Sequence, residues 1–252
     1  MQPIGLIAAM TQESEALLRC VEGVRRIPLG PFRGHTFELS GQYCVLVTSG
    51  MGLRRARNAT HCLVELKTPR LLISFGIAGA VEPDLGIGDV VAPGAVRLLE
   101  GEILSPLQPL APWPEASTRA MTLTLGGFGV HLFPGTAVTT NGSQLVQSVD
   151  MMHPILEMET AGIAQVAAGA GIKLLSLRAI SDGPCAPLPV NLGEMMDENA
   201  NLRVGKFLQV VVRHPGILLQ SRQFLRNSRT AADNAAAALV SALQGLASSP
   251  GI

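Results

Sequence analysis

Four stretches of this chain, IGLIAAMTQE, YCVLVTSGMG, LLISFGIAGA and KLLSLRAISD, share one pattern. Each starts as an uninterrupted apolar run and ends in glycines or polar residues. Segments with helical spacing lie between them: residues 13–21, LRRARNATHCLVEL and TAGIAQVAAGAGI. Strands that are apolar on both faces need cover on both sides, so strands alternating with helices predict an α/β fold with a buried sheet. GIGDVVAP and AVRLLEGEIL read as two further strands after a turn, and FGVHLFPGTAVTTNG as another. Residues 105–125 are the least regular part, and SPLQPLAPWPEAS within them reads as a proline-rich surface loop. From residue 201 onward the chain reads as mostly helical. FLQVVV, ILLQSRQFL and the alanine-rich TAADNAAAALVSALQGL make two or three helices. With no repeat and no linker, residues 1–252 are expected to form one domain with a helical tail over about 201–247.

Charge removes several functions from consideration. Lys plus Arg and Asp plus Glu number 19 each among 252 residues. A neutral chain has no electrostatic footprint for nucleic acid, and its weak self-repulsion suits an oligomer. The cysteines Cys20, Cys44, Cys62 and Cys185 are scattered without a CxxC, which argues against a disulfide framework or a zinc site. The short apolar N-terminus lacks a preceding basic residue and reads as a strand, not a signal peptide. No apolar run reaches the roughly 18 residues of a membrane span. The expected location is therefore cytoplasmic, and the sequons at Asn58 and Asn141 carry little meaning.

In open α/β sheets, ligands bind outside the carboxyl ends of strands. Four such ends carry polar or glycine-rich residues: MTQE (10–13), TSGMG (48–52), FGIAGA (75–80) and AISDG (179–183). Each has a plainer reading. Glu13 suits a first helical turn, Asp182 an N-cap, and Glu157 and Glu159 a helix start. The glycines suit tight turns. GMGLRR has arginine where a dinucleotide fingerprint needs its third glycine, and FGIAGA has the wrong spacing. There is no GxxxxGK[ST] and no GxSxG. The five histidines lack metal-ligand spacing.

The order of these segments resembles one family. IGLIAAMTQE, LISFGIAGAVEPDLGIGDVVAP, LEMETAGIAQVAA and LLSLRAISD, spread over about residues 3–183, are similar to the motifs of the nucleoside phosphorylase/nucleosidase superfamily. Within it they resemble 5′-methylthioadenosine/S-adenosylhomocysteine nucleosidases. The tail VVVRHPGILLQSRQFLRNSRTAADNAAAAL is instead similar to that of hopanoid-biosynthesis-associated nucleosidases, which release adenine from adenosylhopane. The resemblance implies a three-layer α/β/α domain with a central twisted mixed sheet, a homodimer, a purine nucleoside as ligand, and neither metal nor cofactor.

The implied chemistry is N-glycosidic cleavage. The ribosyl ring becomes cationic as the purine leaves, so the base needs a proton and the opposite face an activated water. By resemblance Asp182 is the general acid at purine N7 and Glu13 the base holding water. Glu159 accepts the ribose hydroxyls, and Met158 packs on the sugar. For Glu157 two readings stand: a bond to the ribose edge, or the cap of the next helix. Gly79 and Ile77 border the substrate, with Ile77 where methylthioadenosine nucleosidases usually carry serine. Val138, Thr139 and Thr140 line the base pocket. Phosphorolytic relatives hold phosphate with arginines and a serine or threonine around the glycine-rich strand. SFGIAGA has no anion-binding side chain there, which favours water. Arg54, Arg55 and Arg57 read as a solvated helix face or as an alternative phosphate site. A phosphorylase and a non-catalytic nucleoside binder are the competing readings. The apolar residues of the proline-rich loop and tail suit either a large lipid substituent at a membrane surface or a dimer interface.

Overall fold

The computed structural model describes residues 2–140, 151–184 and 216–247. The first third of the chain runs β1 (Ile4–Ala8), α1 (Thr11–Leu18), β2 (Arg25–Leu29), β3 (Phe32–Leu39), β4 (Gln42–Thr48) and α2 (Leu53–Lys67). There follow β5 (Leu71–Ala80), β6 (Val90–Glu100), β7 (Ile103–Leu104), β8 (Gln108–Pro109), α3 (Glu115–Gly126) and β9 (Leu132–Thr140). Last come β10 (Pro154–Glu157), α4 (Thr160–Ala170), β11 (Lys173–Asp182) and the long α5 (Gly216–Ala247).

All the strands join one mixed sheet, ordered β10-β9-β6-β11-β5-β1-β4-β3-β2, with β7 and β8 attached to β6. The four apolar runs noted above form its parallel centre: β11 pairs with β5, β5 with β1, and β1 with β4. β10 also pairs antiparallel with the end of β5, Ile155 opposite Ala80. The strands β5, β11, β6, β9 and β10 therefore close on themselves into a ring. That closure brings the end of β10, which carries Glu157, beside the glycine-rich end of β5.

Alternation along the strands divides the apolar side chains between two cores. On one face Ile4, Leu6, Ile73, Phe75, Leu175 and Leu177 pack against α1, α3 and α5. On the other, Ile7, Val45, Val47, Leu72 and Leu174 pack against α2 and α4. The result is the expected three-layer α/β/α sandwich around a mixed sheet.

Several sequence expectations are corrected. GIGDVVAP and AVRLLEGEIL are not two strands: β6 runs unbroken from Val90 to Glu100, with a register shift between Pro93 and Ala95. The bulge absorbs the Pro-Gly step that reads as a break. The proline-rich stretch is irregular up to Pro114 apart from β8, but its last three residues already belong to α3, which continues to Gly126. In the tail, ILLQSRQFL and the alanine-rich stretch form one continuous helix of 32 residues, α5, while FLQVVV lies outside the described residues. The hairpin strands β2 and β3 are an addition. Among the described residues no helix is long and apolar enough to cross a membrane.

Candidate active site

Glu13 is the third residue of α1, and its carboxylate turns back into the protein. Oε2 accepts the N–H groups of Ala9 at 2.9 Å and Met10 at 2.8 Å, which caps the helix's own start. Oε1 accepts the N–H of Ile77 on β5 at 2.9 Å. A carboxylate offers about four lone-pair directions, so one remains open. Glu13 is only 3% exposed. Burial pushes its carboxyl above the ordinary range, against the backbone N–H groups and the distant charge of Arg178, which pull it down. The approach requires glycine at position 76, since a Cβ there would fall on the Glu13 carboxylate.

Asp182 ends β11, half-buried, opposite Gly79 of β5. A Cβ at Gly79 would come within 2.7 Å of its Oδ2. The Ser181 hydroxyl lies 2.6 Å from Oδ1. Burial raises the Asp182 carboxyl, and donation by Ser181 offsets part of that rise. Two acids far apart in sequence thus converge on one glycine-rich strand, at residues three apart, or roughly 10 Å along an extended chain. The Ile77 side chain is partly buried and packs against the core cluster that holds Phe75, and its backbone N–H meets Glu13.

Glu159 sits at the start of α4, 7% exposed. Its Oε1 accepts the N–H of Gly52, at the start of α2, at 2.8 Å, and Met158 N–H lies 3.3 Å from Oε2. Its carboxyl is pushed up to about 8, by burial first and by the neighbouring Glu157 charge second. The Met158 side chain is half-buried.

Glu157 is engaged wholly within the protein. Its Oε1 accepts a short hydrogen bond from the Thr139 hydroxyl. Oε2 accepts from Glu159 N at 3.0 Å, Thr160 N at 2.8 Å, Thr160 Oγ1 at 2.8 Å and Arg178 Nη2 at 3.0 Å. Both oxygens are engaged, and the side chain is 0% exposed. The Thr139 hydroxyl is occupied too, because it accepts Ala161 N–H at 2.9 Å. Burial favours neutral Glu157, yet the Arg178 charge and the donors from Thr139 and Thr160 outweigh it, so the carboxyl is held below its ordinary value.

Arg178 was not singled out from the sequence. It is the one Lys or Arg side chain buried among the described residues, at 2% exposure. The signal was present as a lone arginine in the apolar run LLSLRAISD, since a cation buried there requires a carboxylate partner. Of the proposed base-pocket positions, Val138, Thr139 and Thr140 are buried on β9, and residues 141–150 lie outside the described residues. Arg54 and Arg57 are exposed on α2, while Arg55 folds over Gly50. A cleft of about 350 Å³ opens beside the Glu13 turn, lined among others by Thr11, Ser49, Arg33 and Arg55. Among the described residues no cluster of His, Cys, Asp or Glu could hold a metal ion.

Comparison with known proteins agrees with this architecture. The 5′-methylthioadenosine/S-adenosylhomocysteine nucleosidase of Haemophilus ducreyi is 28% identical over 197 residues, 71% of this chain and 84% of that protein. The nucleosidase of the same name from Neisseria meningitidis, solved with methylthio-immucillin-A, shares the fold with a TM-score of 0.67 at 22% identity, covering 97% of this chain and 99% of that one. Futalosine hydrolase of Helicobacter pylori shares it with a TM-score of 0.65 at 21% identity, covering 96% and 97%. The family model described as the phosphorylase superfamily matches residues 3–214, and the chain belongs to that superfamily.

Proposed function

We propose that the protein is a nucleosidase that hydrolyses the N-glycosidic bond of a 5′-substituted adenine nucleoside and releases adenine. The observation that carries this reading is the convergence of Glu13 and Asp182 on the end of β5, with Glu159 at the neighbouring α4 start. The nucleosidase names of the similar proteins support the substrate class.

The proton inventory suits the reaction. Asp182, raised by burial, keeps its proton closer to neutral pH and delivers it to purine N7 as the bond breaks. Glu13 has one lone pair free, enough to orient and deprotonate a water, and burial raises its basicity. Glu159 accepts the ribose hydroxyls and faces the developing positive charge with Met158 beside it. Glu157 supports the site from beneath rather than touching sugar, because its side chain is fully buried and both oxygens are engaged. Water is the nucleophile, since β5 itself carries no cationic side chain to hold a phosphate. We further propose a cytoplasmic homodimer, supported by exposed apolar side chains at Ile103 and Leu107 beside the ring of strands.

The test is adenine release from methylthioadenosine, S-adenosylhomocysteine and adenosylhopane, each with and without phosphate. Release without phosphate is expected, and the best substrate names the 5′ group. Release that requires phosphate would replace this reading with a phosphorylase and direct attention to the cleft bearing Arg33 and Arg55.

A further inference from the structure

The buried pair Arg178–Glu157 lies under the β10–α4 turn. Arg178 Nη2 reaches Glu157 Oε2 at 3.0 Å, Ser74 Oγ at 2.7 Å and Thr160 Oγ1 at 3.0 Å, and Nη1 donates to the carbonyl of Leu177 at 3.0 Å. The pair's side chains are 3% and 0% exposed. Burying such a pair gains little stability over an apolar packing of the same volume, so stability is a weak reason to carry it. The turn it holds contains the N–H groups of Glu159 and Thr160, both bonded to Glu157.

We propose that Arg178 and Glu157 are positioning residues for Glu159, fixing the turn that presents it to the ribose. This rests on the ribose-binding reading of Glu159. The charges that bear on Glu159 are Glu157 beside it, Arg178 from β11 and Glu13 from α1, while α2 supplies the Gly52 N–H. Glu157 stays ionised because Arg178 is its partner, and its charge in turn makes ionisation of Glu159 harder. Burial and the Glu157 charge therefore favour the protonated form of Glu159 in the free protein. Ribose hydroxyls donate best to the carboxylate, so binding expels that proton. Through this relay Arg178 and Glu157 act on the sugar without touching it.

The experiment measures binding of methylthio-immucillin-A by calorimetry in two buffers of different ionisation enthalpy, from pH 5.5 to 9, together with the pH profile of KM. Wild-type protein is expected to release up to about one proton, with affinity rising with pH until about 8. Glu157→Gln removes the adjacent charge and is expected to shift that midpoint down by about one pH unit or more, an effect on KM larger at pH 6 than at pH 8.5. The double variant Glu157→Gln/Arg178→Met leaves no buried unpaired ion and guards against failure to fold. Its midpoint should fall as well, by less, because an attractive charge is lost with the repulsive one. Arg178→Lys should keep the midpoint while weakening affinity, since it retains charge without the planar fork. An unchanged midpoint in both Glu157 variants would overturn the proposal. Glu159→Gln separates the two levels. If it abolishes the pH dependence while the Glu157 variants keep it, only the positioning role fails. If it leaves affinity at pH 8.5 unchanged, the ribose reading itself fails.

Discussion

At the scale of single residues, the site rests on three buried or half-buried carboxyls raised for the same first reason, burial. Asp182→Asn keeps the shape and removes the transferable proton. It is expected to lower kcat by about 10²–10⁴-fold with ligand affinity retained, measured by adenine release and by calorimetry. Equal loss of both would point to a structural role. A pure binding protein would show unaltered affinity and no turnover in either form. Glu13→Gln should lower kcat over a similar range, and the remaining rate should lose its dependence on the ionisation of a base. The sequence showed Glu13, Glu159 and Asp182 at strand ends. It did not show that Glu157 is tied up inside the protein, because hydrogen bonds across 18 and 21 residues to Thr139 and Arg178 leave no mark on local pattern.

Among the elements, the parallel centre was readable because strands buried on both faces are apolar throughout. β2 and β3 were missed for the converse reason: RRIPL and FRGHTFEL lie at the sheet edge, partly exposed, so their composition is mixed. α3 was hidden by its threonines. Thr118 and Thr122 donate to carbonyls four residues back, at 3.2 and 2.9 Å, and only Ser117, Met121 and Leu125 face inward. That narrow face suffices because α5 covers it. The contact is close: a Cβ on Gly245 would come within 2.7 Å of Ser117 Cα. Gly245→Val should destabilise the fold by about 1–3 kcal/mol, seen as a lower Tm, with kcat of the folded fraction unchanged. An unaltered Tm would mean that α5 does not dock there.

For the whole molecule, the proton inventory predicts how stability varies with pH. Glu13, Glu159 and Asp182 have folded pKa values above their unfolded ones. Between the ordinary carboxylate range and about 8, the folded chain keeps protons that the unfolded chain has lost, so stability falls as pH rises. Glu157 works the other way, and its contribution disappears only as pH falls below the ordinary carboxylate range. Ligand-free protein should therefore show a declining Tm from about pH 6.5 to pH 8, above the range where His35, lowered by burial, adds the opposite trend, and saturating nucleoside analogue should flatten the decline by compensating the Glu159 charge. A Tm that rises across this window would contradict the assigned proton states.

The sequence by itself determined the alternation of strands and helices, the strand ends that carry acids, and membership in a family whose motifs occur in this order. These features are local: apolar period, glycine placement and short motifs are written in neighbouring residues. Tertiary structure alone decided that the sheet closes β10 onto β5, that Gly76 and Gly79 leave room for two distant carboxyls, and that Arg178 sits beneath the Glu157 turn. Each of those depends on groups brought together from separate parts of the chain. Burial then changes what the groups are, because a carboxyl's charge depends on the water and the partners that only the folded molecule arranges around it.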